Sequence, residues 1–306
     1  MNLTETASAL SLRDAATVLA LTSYYQTAAR LADVIPATRM FDRDSFMLGE
    51  QLVEANFFQD LRPRLSALYH APLSRSGEVQ EAIRRGRVRP FLRAHYREYP
   101  AEAIAMRETI TPYTRRMFDA GGQYGLDHLG LVGVFRLEEP AIIQELEESS
   151  RQLTEIDGEM SLVDTTVDEL AGQLEAQRNS GRDWTDILPL ISAWILGRTV
   201  IRTAAIVQTE SVRASRWAML SAFFGNGIKG VTFYTTGDER VCDQCRPLHG
   251  EYFEMRGVFR PLNDIPGYAR IPVHPLCRCF YDAQMDGWLK PALIWAGFAI
   301  AGLSGE

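Results

Sequence analysis

The chain has 306 residues, 46% hydrophobic and 23% charged, with a formal net charge of −7. That composition supports a packed core and excludes a disordered chain, while the acidic balance excludes a polycation that coats nucleic acid unaided. The length suffices for two ordinary domains, or for one helical body with an attached module.

Charge is unevenly placed. Twelve arginines face seven acidic residues between Asp60 and Ala120, whereas Leu137 to Asp186 holds fourteen acidic residues and three arginines. One basic and one acidic region suit oriented docking between charged partners. Of the 32 basic residues only Lys229 and Lys290 are lysines. Arginine suits bidentate pairing at interfaces, although genomic base composition is the better account of the bias. The N-terminus lacks a basic region followed by an apolar run. The late apolar run Pro291 to Leu303 is shorter than the roughly 20 residues that span a bilayer. No membrane segment is therefore expected, and thiols in a cytoplasmic chain stay reduced.

Residues 1–135 read as a helical N-terminal domain with many breaks. Leu12, Ala15, Ala16, Leu19 and Ala20 recur at helical spacing, and Phe46 to Leu68 continues in kind up to an interruption at Pro63. Pro72, Gly77, Gly86, Pro90, Pro100 and Pro112 cut the next stretch into short elements. The glycine-rich segment from Gly121-Gly122 to Gly133 reads as a turn region or linker. Residues 136–226 read as acidic helices and a long helix leading into a module. Ala141 to Ser161 is acidic and helix-forming. Thr166 to Glu169 has the form of a capping box opening a helix. Val167, Leu170, Ala171 and Leu174 form its apolar face, and the end is expected near Asn179-Ser180-Gly181. Thr185 or Asp186 opens the next helix, with Pro189 in its first turn. Ile191, Trp194, Ile195, Ile201 and Ala205 face its core, and Gly225-Asn226-Gly227 ends it. Val231 to Thr236 is β-branched and aromatic, which predicts a strand, followed by loops and short strands to Asp282. Residues 284–306 form an apolar tail that either packs on the body or inserts into a neighbour. The expected fold class is mainly α with a small C-terminal α+β metal-stapled module over 227–283.

All four cysteines fall within 38 residues. Cys242-Asp243-Gln244-Cys245 is followed by a 28-residue spacer and then by His274-Pro275-Leu276-Cys277-Arg278-Cys279. Two close pairs separated by a loop build a tetrahedral thiolate–imidazole site, because each tight turn carries two ligands and the loop brings the second turn back. Zinc suits such donors and needs no redox chemistry. Cys242, Cys245, His274, Cys277 and Cys279 are five candidates for about four positions, and His249 is expected outside the set. Buried apolar cysteines, or disulfides formed after lysis, are the alternatives. A catalytic zinc is not expected, since the deaminase and H-E-x-x-H patterns are absent. The five histidines are scattered, and no P-loop or dinucleotide fingerprint occurs, so no enzyme activity is expected.

Ala204 to Glu210, Gly227 to Thr236, Gly237 to Cys245, Leu248-His249-Gly250 and His274 to Cys279 together resemble the phage Mu F-like head morphogenesis family. The helix from Thr165 to Leu170, leading to Arg198 and Arg202, is similar as well. The likeness covers roughly Thr165 to Asp282. Gln208 stands where that family often has Arg, and Tyr234 where it often has Trp. The resemblance implies a minor capsid protein of a tailed phage or prophage, inside the head near the portal and in host cytoplasm during assembly. Its implied partners are the portal protein and other head proteins, with possible contact to packaged DNA and no membrane. Two other readings stay open: a transferase-like or nuclease-like enzyme, and a DNA-binding zinc module. The six arginines from Arg84 to Arg97, set among aromatics, suit DNA phosphates, an acidic partner or plain solvation. Asp238, Glu239 and Arg240 are candidates for orienting the first cysteine turn. Glu210 is expected to pair with Arg240 or Arg278.

Overall fold

The structure is a computed structural model, and it describes residues 12–32, 43–135, 140–155, 161–178, 180–235, 241–256 and 265–284. Helices α1 (Leu12–Ala32), α2 (Arg43–His70), α3 (Ser76–Arg85), α4 (Val88–Glu98), α5 (Ala101–His128), α6 (Pro140–Thr154), α7 (Leu162–Ala176) and α8 (Trp184–Gly225) precede three strands. These are β1 (Gly230–Tyr234), β2 (Tyr252–Glu254) and β3 (Phe280–Ala283). The fold is mainly α with a small antiparallel sheet near the C-terminus, as the sequence predicts. The chain divides into two compact units. Unit 1 comprises 1–34, 54–113 and 140–207, and unit 2 comprises 35–53, 114–139 and 208–306.

Unit 1 is helical. On α4, Val88, Leu92, His95 and Tyr96 are buried at a spacing that follows one helical face. Gly86 ends α3 in the left-handed conformation, which glycine adopts without steric cost. Helix α4 packs on α7, and here the two oppositely charged sequence regions meet inside the chain. Arg89 lies 3.4 Å from Asp168 and Arg93 lies 3.7 Å from Asp164. Arg84 and Arg85 both pair with Glu81 on their own helix. The basic segment is therefore largely engaged within unit 1 rather than presented as a free row of cations. Helix α7 begins four residues before the predicted capping box. Ser161 is its cap, accepting from the amides of Val163 and Asp164 at 3.1 and 3.2 Å. Thr166 and Glu169 are instead interior and join a polar network. Glu169 takes hydrogen bonds from Tyr69 and Arg198, and Arg202 reaches Tyr69, Thr166 and the Leu162 carbonyl.

Two predicted breaks are absent. Pro63 lies within α2 and Pro112 within α5. The buried flanking residues Leu61, Leu65, Ile110 and Tyr113 offset the lost backbone hydrogen bond, because burial rather than propensity supplies most helix stability. Pro189 likewise sits a turn deeper in α8 than predicted.

In unit 2 the supposed glycine linker is largely the last two turns of α5, which run through Gly121, Gly122 and Gly125. The reason is close helix packing. A Cβ on Gly121 would overlap the Ser215 backbone, and one on Gly125 would lie 2.8 Å from Ala222 Cβ and 3.2 Å from the Met219 carbonyl. Only glycine allows α5 and α8 to approach so nearly. Beyond α8, which Gly227 closes with positive φ, the sheet has the order β2-β1-β3. Val231 pairs with Phe253 on one side and Ala283 on the other, and Phe233 pairs with Tyr281. These inward residues join Met219, Leu220 and Phe223 of α8 in one apolar core. The expected strand is thus present, one residue early and two short.

Helix α8 is long and apolar enough to cross a bilayer by length and composition, a feature absent from the sequence reading. Half of its most apolar window is buried inside the protein. The helix also carries Arg202, Glu210 and Arg216, all buried and hydrogen-bonded. Residues 285–306 of the apolar tail, and Asp238, Glu239 and Arg240, lie outside the described residues.

Candidate metal centre

The five predicted residues converge in unit 2. Cys242 and Cys245 stand on one turn, where the Cys245 amide donates to Cys242 Sγ at 3.4 Å and the Arg246 amide to the Cys242 carbonyl at 3.0 Å. A 3-10 turn, Arg246–Leu248, follows. The Gly250 amide and the Glu251 carbonyl then bond the Phe233 backbone, both at 2.8 Å, which ties this segment to β1.

His274 and Cys277 stand on a matching turn, closed by the Cys277 amide donating to the His274 carbonyl at 3.1 Å. Leu276, third in that turn, has φ 65°. Among the described residues it is the one non-glycine with positive φ, a conformation that costs about 1–3 kcal/mol and persists only where its surroundings impose it. They do. Thr209 Oγ1 accepts from the Leu276 amide at 3.2 Å, and Gln208 Nε2 donates to its carbonyl at 3.3 Å. Two consecutive residues of α8 thus hold both backbone groups of the strained residue. Upstream, the Tyr281 hydroxyl donates to the Ala269 carbonyl at 2.8 Å and accepts from the Ile271 amide at 2.9 Å, fixing the approach to His274.

The donor atoms form two overlapping sets, Cys242–Cys245–His274 and Cys245–Cys277–Cys279, each with all atoms within 4.8 Å of one another. His274 Nε2 lies 3.0 Å from Cys242 Sγ and 3.2 Å from Cys245 Sγ, and Cys245 Sγ lies 4.0 Å from Cys277 Sγ. Zinc–sulfur bonds of about 2.3 Å and zinc–nitrogen bonds of about 2.0 Å in a tetrahedron require donor separations of about 3.5–3.8 Å. The two nitrogen–sulfur separations lie below that range and the sulfur–sulfur separation lies above it. His274 Nδ1 lies 2.7 Å from the Pro275 carbonyl, which must accept its proton. In the neutral ring this tautomer puts the lone pair on Nε2, which is turned toward the thiols, as a metal ligand needs. All four cysteines are free; Cys245, Cys277 and Cys279 are buried and Cys242 is partly open. The cluster is one that can hold a metal ion.

The thiols are electrostatically distinct. Hydrogen bonding from the Cys279 thiol, then the backbone amides of Cys279 and Val273, pulls Cys277 down to about 5 against the cost of burial. Burial, followed by the neighbouring Cys277 charge, pushes Cys245 up to about 12. Cys279 is pushed up by its bond to Cys277 and by burial, and stays a thiol. The pocket thus favours negative charge at Cys277 before any cation arrives.

The other histidines stay away. His249 Nδ1 meets Thr235 Oγ1 at 2.9 Å. His70 bonds the Ser66 carbonyl, His128 meets Asp282 at 2.7 Å, and His95 is buried in unit 1 with both ring nitrogens unpartnered. Glu210 is bonded to Arg213 one turn along α8, and Arg240, one of its two expected partners, lies outside the described residues.

Sequence reasoning missed a buried ion pair that braces the centre. Arg216, with no exposed surface, binds Glu50 through two nitrogens at 2.6 and 2.9 Å, and its Nε donates to the Cys279 carbonyl at 3.1 Å. Ser215 also donates to Glu50 at 2.5 Å. Nothing in the sequence links positions separated by 166 residues. No family model, curated protein or solved structure matches the chain.

Proposed function

We propose that this chain is a minor head protein of a tailed phage or prophage that associates with the portal, and that a structural zinc ion closes its 227–283 module. One observation supports this above the others. Stretches that carry the family-like pattern meet: the cysteine and histidine turns on each other, and Thr209 on the second turn. Three or four soft sulfur donors with one imidazole favour zinc over harder cations. Cys242, Cys245, His274 and a further thiol would hold it, and the bound ion would contribute folding energy on the order of 10 kcal/mol. The role proposed is assembly, with unit 2 as a rigid platform for head partners.

The DNA-binding reading draws less support, because Arg84, Arg85, Arg89 and Arg93 are matched by Glu81, Asp168 and Asp164 within unit 1. Expression with the cognate portal protein is the test. A stable complex through affinity and size-exclusion steps is expected, and reproducible separation of the two proteins would remove the proposal.

A further inference from the structure

The buried face of α4 is Val88, Leu92, His95 and Tyr96, so a histidine stands where the helical stripe calls for an apolar side chain. His95 is 5% exposed, and neither ring nitrogen has a hydrogen-bond partner among the described residues. Buried polar atoms are nearly always paired, so an imidazole with both nitrogens idle needs a reason. Its surroundings are aromatic. The Tyr96 and Tyr99 rings lie 5.4 and 5.2 Å from it, and the Phe91 ring 6.4 Å. Tyr96 is anchored by its hydroxyl, which donates to the Leu68 carbonyl at 2.6 Å. Tyr99 ends α4, its amide donating to the His95 carbonyl at 2.8 Å, and its side chain is exposed.

The neighbouring charges are already engaged with one another. The Arg75 guanidinium carbon lies 5.3 Å from the centre of the Tyr99 ring, and Arg75 pairs with Glu78 at 2.8 Å and with Glu98 at 3.6 Å. Burial first, then Arg75, holds the His95 pKa below its ordinary 6.5, against the pull of Glu98 and Glu78. Helices α3 and α7 and the uncharged 3-10 turn Ala71–Ser74 pack on α4. On α3, Glu81 meets Arg84 and Arg85. On α7, Asp164 and Asp168 meet Arg93 and Arg89 of α4, and Glu169 holds Tyr69 and Arg198.

We propose that His95 is an acid-operated latch: a proton on its ring, buried without an acceptor, releases α4 from α3 and α7. The neutral ring packs among the aromatic side chains as a flat, nearly apolar body. The imidazolium must find water or an acceptor for both N–H groups. Freeing the C-terminal turn of α4, where Tyr99 already meets solvent, supplies water. Release also parts Arg89 from Asp168 and Arg93 from Asp164, and so opens the basic segment that the closed helix keeps engaged. The closed form takes up the proton less readily than the open one. Closure is therefore complete above pH 6.5 and weakens by up to about tenfold per pH unit below it, until the lower value of the closed form is reached.

Hydrogen exchange by mass spectrometry on the full-length protein, corrected for the chemical exchange rate, tests the latch. Between about pH 7.5 and about pH 5.5 the opening of residues 88–98 in the wild type is expected to rise by up to about tenfold. Residues 54–66 of α2, in the same unit, are expected to stay unchanged. His95→Phe keeps a flat ring that takes no proton, and is expected to give a flat profile in α4. His95→Gln, polar and uncharged, should do the same and stands in if the Phe variant does not fold. A flat wild-type profile, or acid opening of α4 in either variant equal to that of the wild type, would overturn the proposal.

Discussion

The two units handle buried charge in opposite ways. In unit 1, Glu169 sits among Tyr69, Arg198 and Arg202 where water still reaches it, and its side chain retains 19% of its exposure. In unit 2, Glu50 and Arg216 are 4% and 0% exposed and answer each other with little help from solvent. The difference follows from what each unit has to bury. Unit 1 is a stack of helices whose apolar faces supply a core, so its ionic network lies partly at the margin. Unit 2 must close a three-stranded sheet and the loops between its strands onto α8 around one apolar core. It has a Cys/His cluster, a sealed ion pair and a helix contact that admits only glycine.

Metal removal should separate the units most strongly. If zinc is bound as proposed, chelation of the reduced protein should cost unit 2 on the order of 10 kcal/mol. Hydrogen exchange by mass spectrometry is then expected to show lost protection in β1 and β3, with α7 of unit 1 still protected. Unchanged exchange in both units would end the distinction.

The ion pairs offer the next test. Glu50→Ala leaves the Arg216 guanidinium buried and unanswered, and should destabilise by about 3–5 kcal/mol in denaturant unfolding. Glu169→Gln should cost less, about 1–2 kcal/mol, because water screens the network. Burial alone would raise the Glu169 pKa, but Arg198, Arg202 and Tyr69 outweigh it and hold the carboxyl below its ordinary 4.5. Its stabilising contribution is therefore complete above pH 4.5 and is lost as pH falls through the lower folded value. Glu169→Gln should flatten that acid limb of the stability curve; a limb of unchanged slope would place the acid sensitivity elsewhere.

A pair of glycines carries the comparison into the helix packing, with expected effects of opposite sign. Gly121→Ala in unit 2 drives a methyl into the Ser215 backbone and should cost about 1–3 kcal/mol. Gly172→Ala in α7 of unit 1 meets nothing within 4 Å and should stabilise by about 0.5–1 kcal/mol. Thermal melts of the two variants shifting in the same direction would show that the close approach of α5 and α8 is not what holds Gly121.

Some features were legible because they are local. The cysteine spacing named all five residues that converge, and the β-branched run from Val231 named the central strand. The end of α8 at Gly227 follows from left-handed capping, which a sequence displays openly. Other features misled because tertiary packing reversed a local preference. Gly121, Gly122 and Gly125 look like a linker in sequence, yet they are small so that a helix can come close. Thr166 and Glu169 match a capping box, yet Ser161 caps the helix and frees them for Arg202 and Arg198. Pro63 and Pro112 look like breaks, but buried neighbours carry the helices through.

The sequence by itself determined the helical character, the strand at Val231 and the identity of the clustered thiols and imidazole, since periodicity, β-branching and ligand spacing act over a few residues. Only the tertiary structure decided that Gln208 and Thr209 grip Leu276, that Arg216 joins Glu50 to the Cys279 carbonyl, and that the basic segment meets Asp164 and Asp168. Those contacts join residues tens to more than a hundred positions apart. Their energies depend on burial and distance, which no local pattern encodes.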